Sequence, residues 1–144
     1  MTFRVELKSW EEARTVAGPI RYAIFFHEKD APPGVEIDDL DPQSMHAIAY
    51  DEQAGTAVGT GRLLPDGQIG RLAVVKDWRR RGVGAALLAA LIEEARRRSH
   101  AEVTIMAPLQ AAEFYRGQGF VAEGKVFKEG GILEQKMRKS LAAP

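Results

Sequence analysis

The sequence predicts an α/β fold around one mixed sheet, and two observations predict it. The first is the order of periodicities along the chain, which reads β-α-loop-β-β-β-α-β-α-β-β. The second is one strong helix, Gly82 to Arg98, set between strand-like runs. A length of 144 residues favours a single domain over 1–144. With 45% apolar and 28% charged residues the chain can build a packed core, so wholesale disorder is not expected.

Thr2 to Lys8 alternates polar and apolar residues, placing Phe3, Val5 and Leu7 on one face of a strand. Ser9 can cap a following helix, with Glu11 and Glu12 at the positive end of its dipole. That helix is expected to reach about His27, bent or interrupted at Gly18-Pro19. Ala31 to Gly34, and the acidic stretch up to Pro42, read as loop. Met45–Tyr50, Ala57–Leu64 and Gln68–Val75 read as three strands of an antiparallel meander, the last two joined by the turn Pro65-Asp66-Gly67. In the long helix Val83, Leu87 and Leu91 recur at helical spacing. A short strand Val103–Met106, a helix from about Leu109 to Gln118, and strands Phe120–Phe127 and Ile132–Met137 complete the chain.

Twenty Lys and Arg balance twenty Asp and Glu. The zero hides a segregation: Glu28 to Glu52 holds eight acids against Lys29, a local net of −7, whereas Arg62 to Arg98 comes to +5. Basic residues without interleaved aromatics, in a neutral chain, argue against a nucleic-acid partner. With no cysteine there is no thiolate metal site and no cysteine nucleophile, and the composition suits a cytoplasmic protein. No apolar run approaches the ~20 residues of a membrane span, and Met1 to Lys8 lacks a signal-peptide core. His27, His46 and His100 have no ligand-like spacing, so no metal is expected.

Chemistry concentrates in one segment. The apolar run Leu72-Ala73-Val74-Val75 ends, Lys76-Asp77-Trp78 turns, and Arg79-Arg80-Arg81-Gly82-Val83-Gly84-Ala85 opens the long helix. No Ser, Thr, Asp or Asn stands there to occupy the first free N–H groups. Those groups, the helix dipole and three arginines make an anion site, and the glycines let backbone approach a phosphate closely. The triphosphate P-loop is excluded by the lack of Gly-Lys-Ser/Thr, and the dinucleotide fingerprint by its missing third glycine. Trp78 reads as a packing anchor.

An Arg-x-x-Gly-x-Gly arrangement after an apolar strand resembles the coenzyme A pyrophosphate loop of the GCN5-related N-acetyltransferases (GNAT). Ala111 to Phe120, with its Phe114-Tyr115 pair and Gly119-Phe120, resembles the second signature of that superfamily. Phe25–Pro32, Glu36–Asp41, the His46 strand, Gly59–Leu63 and Gly70-Arg71 are similar to the ElaA-like branch of predicted acyltransferases. This sequence departs from that branch at Lys29, at Met106 and Pro108, and at Leu133-Glu134, all toward the acceptor side.

The resemblance implies a mostly antiparallel sheet of six to seven strands flanked by helices, and acetyl-CoA as co-substrate. Backbone at Leu72, Ala73 and Val74 would pair with the pantetheine arm, the Val74 N–H polarising the thioester carbonyl. Amides of Arg80, Arg81, Gly82, Val83, Gly84 and Ala85 would hold the pyrophosphate, with Arg79 to Arg81 adding charge. Tyr115 would protonate the departing thiolate as general acid. The base that frees the amine is left open among Glu36, Glu28, His46 and His27, the two glutamates leading and Glu134 a weaker option. The acceptor is a small-molecule or peptide amine, with a cationic one favoured by the acidic segment, and a homodimer is compatible. The competing reading is a non-catalytic acyl-CoA-binding or sensing domain.

Overall fold

A computed structural model describes residues 2–28 and 37–141, with side chains for all of these except 26–28. Seven strands form one sheet: β1 Phe3–Lys8, β2 Met45–Asp51, β3 Ala57–Leu63, β4 Gln68–Val74, β5 Glu102–Pro108, β6 Val121–Glu129 and β7 Ile132–Ser140. Their spatial order is β1-β2-β3-β4-β5-β7-β6. Every pairing is antiparallel except β4 with β5. The mixed, mostly antiparallel α/β fold expected from the sequence is therefore the fold observed.

Helix α1, Trp10–Arg21, starts on a capping box in which Ser9 and Glu12 satisfy each other's backbone N–H groups. It runs through Gly18-Pro19 rather than breaking there, and afterwards widens into a π-helical stretch, Tyr22–Glu28. Pro19 lacks the N–H that would bond back one turn, so the regular ladder is already weakened where the winding loosens. Helix α2, Val83–Arg97, buries Val83, Leu87, Leu88, Leu91, Ile92 and Ala95 against the sheet. Close approach needs Gly61 in β3: a Cβ there would lie 2.6 Å from Leu72 Cδ1 and 3.1 Å from Leu91 Cδ1. Helix α3, Ala112–Gly117, is short and follows a 3₁₀ turn at Leu109–Ala111.

The main core lies between the sheet and α2, and the opposite face is covered by Ala13, Ala17 and Ile20 of α1 and by Ile24 of the π-helical stretch. Along β4 the pairing to β3 slips between Thr60 and Arg62. Arg71 takes up the extra residue in a left-handed conformation, φ 51°. Such a bulge bends its strand. Beyond it β4 leaves its parallel neighbour, for only Gln68 and Ile69 pair with β5, at Thr104 and Ile105. The opening between the two strands positions everything that follows.

Candidate active site

The direction of each backbone group in β4 follows from alternation. Val75 N–H donates to Val58 O on β3 at 2.9 Å, so the N–H of Val74 points the other way, into the opening. Ala73 is turned toward β3, opposite Thr60, and its side chain packs on Ile20 and Ile24. Leu72 packs against the main core. Among the residues named from sequence along this strand, Val74 thus offers its N–H to the opening and Ala73 does not.

Beyond β4 a 3₁₀ turn, Lys76–Trp78, leads to the start of α2. Gly82 caps that helix in a left-handed conformation, φ 84°, and no side chain occupies the cap. Arg80 is also left-handed, φ 61°, a strained geometry for a residue with a Cβ. Among the described residues no backbone carbonyl accepts from the N–H groups of residues 80–85, and the first bond back is Ala86 N–H to Gly82 O. A cleft of about 290 Å³ lies over these amides, lined by Val74, Trp78, Arg79, Arg80, Gly82–Ala85 and Phe114. Gly84 faces it: a Cβ there would stand 3.7 Å from Phe114 Cζ and 3.9 Å from Val74 Cγ2, inside the cleft.

The three arginines of the loop differ. Arg79 Nε donates to Val74 O and Arg81 Nε to Asp77 O, both folding back on the loop. Arg81 also covers Trp78, with 5.6 Å from guanidinium carbon to ring centre. Trp78 is buried and meets Phe3 edge-on, the packing role expected of it. Arg80 remains exposed beside the free amides. A row of free N–H groups at a helix start, glycines without Cβ and an exposed guanidinium fit a pyrophosphate.

Tyr115 sits behind this cleft rather than on its wall. It is 5% exposed, between Phe114 at 5.0 Å and Phe120 at 5.7 Å, and burial pushes its phenol up to about 12. Phe114, exposed beside it, lines the cleft with Trp78; it was visible in the sequence only as the partner of Tyr115.

Opposite this cleft, on the α1 face, lies a polar cluster that the sequence did not reveal. Asp41 Oδ1 accepts from Arg21 Nη1 and Arg62 Nη1, each at 2.9 Å, and its Oδ2 accepts from Asp38 N–H. Arg62 clasps Asp38 through Nη1 at 2.6 Å and Nη2 at 3.0 Å, and Arg71 Nη2 reaches the same carboxylate at 3.1 Å. Arg62 and Arg71 hold the Asp38 carboxyl well below its ordinary range. At Asp41 burial works to raise the carboxyl, and the Asp38 N–H and the guanidiniums outweigh it.

His46 belongs to this cluster and is corrected as a candidate base. It is fully buried; Nε2–H donates to Asp41 O at 2.9 Å, and Nδ1 faces Arg21 Nη2 at 3.4 Å. Both ring nitrogens are thus engaged, burial and Arg21 lower its pKa, and the ring lies tilted against Trp10 with centres 4.9 Å apart. Glu36 lies outside the described residues, as do the side chains of Glu28 and His27. The acidic segment also needs correction in part: Asp38 and Asp41 are bound by three arginines, so they present no free negative charge to an acceptor. Among the described residues no group of three His, Cys, Asp or Glu could hold a metal, and no helix is long and apolar enough to cross a membrane.

Residues 26–141 match the acetyltransferase (GNAT) domain model, and the chain belongs to that superfamily, whose members transfer acyl groups from acyl-CoA. The uncharacterized N-acetyltransferase YjcF of Bacillus subtilis is 31% identical over 131 residues, covering 90% of this chain and 94% of its own. A crystal structure from Lactobacillus plantarum superimposes with TM-score 0.88 at 28% identity, covering 99% of this chain and all of the other. Escherichia coli ElaA shares the fold, with TM-score 0.84 at 21% identity over 96% of this chain and all of ElaA.

Proposed function

We propose that the chain, as one domain over 1–144, acts in the cytoplasm as an N-acetyltransferase that moves an acetyl group from acetyl-CoA to an amine by direct attack. The observation that carries the reading is the coincidence of the Val74 N–H, turned into the β4–β5 opening, with the unbonded amides of residues 80–85 in one cleft. Bound there, acetyl-CoA supplies a thioester whose carbonyl is open to an amine.

Amides of Arg80, Arg81, Gly82, Val83, Gly84 and Ala85 bind the pyrophosphate, and the Arg80 guanidinium adds charge. Arg79 acts indirectly by fixing the Val74 carbonyl, and Arg81 by clamping the loop over Trp78. Leu72 and Ala73 hold β4 in place so that the Val74 N–H meets the carbonyl oxygen as charge grows on it. Tyr115, protonated at every working pH, donates its proton to the leaving sulfur. A carboxylate takes the proton of the incoming ammonium. Glu28 and Glu36 remain the leading sequence candidates, and Glu134, the weaker one, is a half-buried carboxylate among the described residues.

Release of CoA thiol is the test, measured over a panel of amines with acetyl-CoA. We expect acceptor-dependent release, and binding of CoA without any such release would turn the reading to a sensing domain.

A further inference from the structure

The α1 face of the β4–β5 opening carries groups of its own. Ile69, Ile105 and Met137 stand level on β4, β5 and β7, and all are buried in the main core beneath α2. Alternation from these residues puts Pro108 on β5 and Glu134 on β7, which are register partners, on the opposite face. Arg71 is on that face too, for it reaches Asp38 and lies 6.0 Å from the Phe25 ring centre. It stands just past Ile69, the last residue of β4 paired with β5, while Glu134 lies level with Pro108, at the end of β5 beyond Ile105. Arg71 therefore stands at the β4 edge of the opening and Glu134 one strand beyond its β5 edge, on the same face and near enough for the guanidinium to act on the carboxyl.

Both have unused capacity. Among the described residues Arg71 makes one hydrogen bond, to a carboxylate whose two oxygens Arg62 already binds. Its Nε and Nη1 donate to nothing among the described residues, and its side chain is 26% exposed. Of the three guanidiniums of the cluster, Arg71 is the most exposed. Glu134 has no hydrogen bond or ion pair among the described residues. Burial and then Glu129, on the same face of β6, raise its carboxyl, while Arg71 opposes them. Lys136, next on that face of β7, leans toward Glu123 at 3.8 Å, and Asp38 across the opening is held by Arg62. A guanidinium with free donors matches a carboxylate, and an unpaired half-buried carboxylate suits an ammonium.

We propose that this face binds the acceptor and that the acceptor is an amino-carboxylate, its carboxylate held by Arg71 and its ammonium received by Glu134. The proposal rests on the acyltransferase reading above. The ammonium passes one proton to Glu134, and the freed nitrogen forms the C–N bond as the C–S bond breaks. Tyr115 protonates the departing sulfur, and the second proton shed by the nitrogen restores the phenol through water. The products are an amide, the CoA thiol and one proton, which Glu134 returns to solvent.

Thiol release is measured with the common amino acids, their amides and simple alkylamines, on the wild type, Arg71→Gln, Arg71→Lys and Glu134→Gln. Turnover should favour the acids, with KM for the matching amide at least about thirtyfold higher. Arg71→Gln should raise KM for the acid by a similar factor and leave the preference for acids erased, with Arg71→Lys intermediate. Glu134→Gln should lower kcat and flatten the acid limb of its pH profile. CoA affinity by calorimetry reports folding of each variant, because that site lies on the other face. Loss of CoA binding in the wild type overturns the acyltransferase reading; intact CoA binding with amides used as well as acids overturns this one alone. A second measurement needs no turnover: saturation-transfer NMR of the CoA complex with pooled N-acetyl amino acids and their amides. Signals from the acids alone, lost in Arg71→Gln, support the proposal, and equal signals or none overturn it.

Discussion

Asp41 is a fully buried carboxylate whose charge persists because two guanidiniums and a backbone N–H meet it. Removing its charge leaves Arg21, itself fully buried, facing a neutral group. Asp41→Asn should therefore cost about 3–5 kcal/mol in chemical denaturation. The cluster also sets the acid behaviour of the fold. His46 titrates below its ordinary 6.5, so folding disfavours its charged form, and stability falls as pH drops through 6.5 toward the folded value. Asp38 and Asp41 titrate below their ordinary 3.8; their contribution is present above that value and is lost as pH falls further. The wild type should lose stability in two stages, and His46→Gln, uncharged throughout, should remove the first while keeping the second. A denaturant midpoint equally pH-dependent between 7 and 5 in both proteins would count against this. At Tyr115 the direction is opposite. A phenol near 12 keeps its proton, so the alkaline limb of kcat should be absent below about pH 10. Tyr115→Phe should lower kcat by ~100-fold with acetyl-CoA KM unchanged, and unchanged turnover would remove Tyr115 from the mechanism.

Among the elements, α2 shows how a helix start can be tuned for a ligand against stability. Gly84 lies in the first turn of a helix, where Ala is preferred by roughly 0.5–1 kcal/mol, and an added Cβ meets only ordinary contacts at 3.7 and 3.9 Å. Gly84→Ala should thus raise Tm slightly, while the methyl intrudes on the cleft and raises acetyl-CoA KM about tenfold. Stability and affinity moving together would show that Gly84 serves packing alone. Elements whose residues repeat at a clear period were legible from the sequence: α2, the meander of β2 to β4, and the capped start of α1. The π-helical stretch at Tyr22–Glu28 and the bulge at Arg71 were not, because each is a local departure from period that tertiary contacts impose. That bulge matters most for function, since it parts β4 from β5.

For the molecule as a whole, a net charge of zero conceals two different fates for its charges. Counting along the chain separates an acidic segment from a basic one, but not which members meet: Asp38 pairs with Arg62 and Arg71 across 24 and 33 residues. For the same reason the loop of free amides before α2, a local pattern, was readable in advance, whereas the face proposed for the acceptor, assembled from β4, β5, β7 and the segment around Asp38, was not. The pairing changes what salt should do. Charges neutralised inside the fold are screened little, while an exposed arginine and free amides facing a polyanion are screened strongly once the Debye length falls from about 10 Å at 0.1 M toward 3 Å at 1 M. Raising sodium chloride from about 0.05 to 0.5 M should therefore raise acetyl-CoA KM several-fold. The acceptor KM should move less than about twofold, since its partners Arg71 and Glu134 are partly buried and of opposite sign. An acceptor KM climbing as steeply as that of acetyl-CoA would mean that the acidic segment, and not Arg71, governs what binds there.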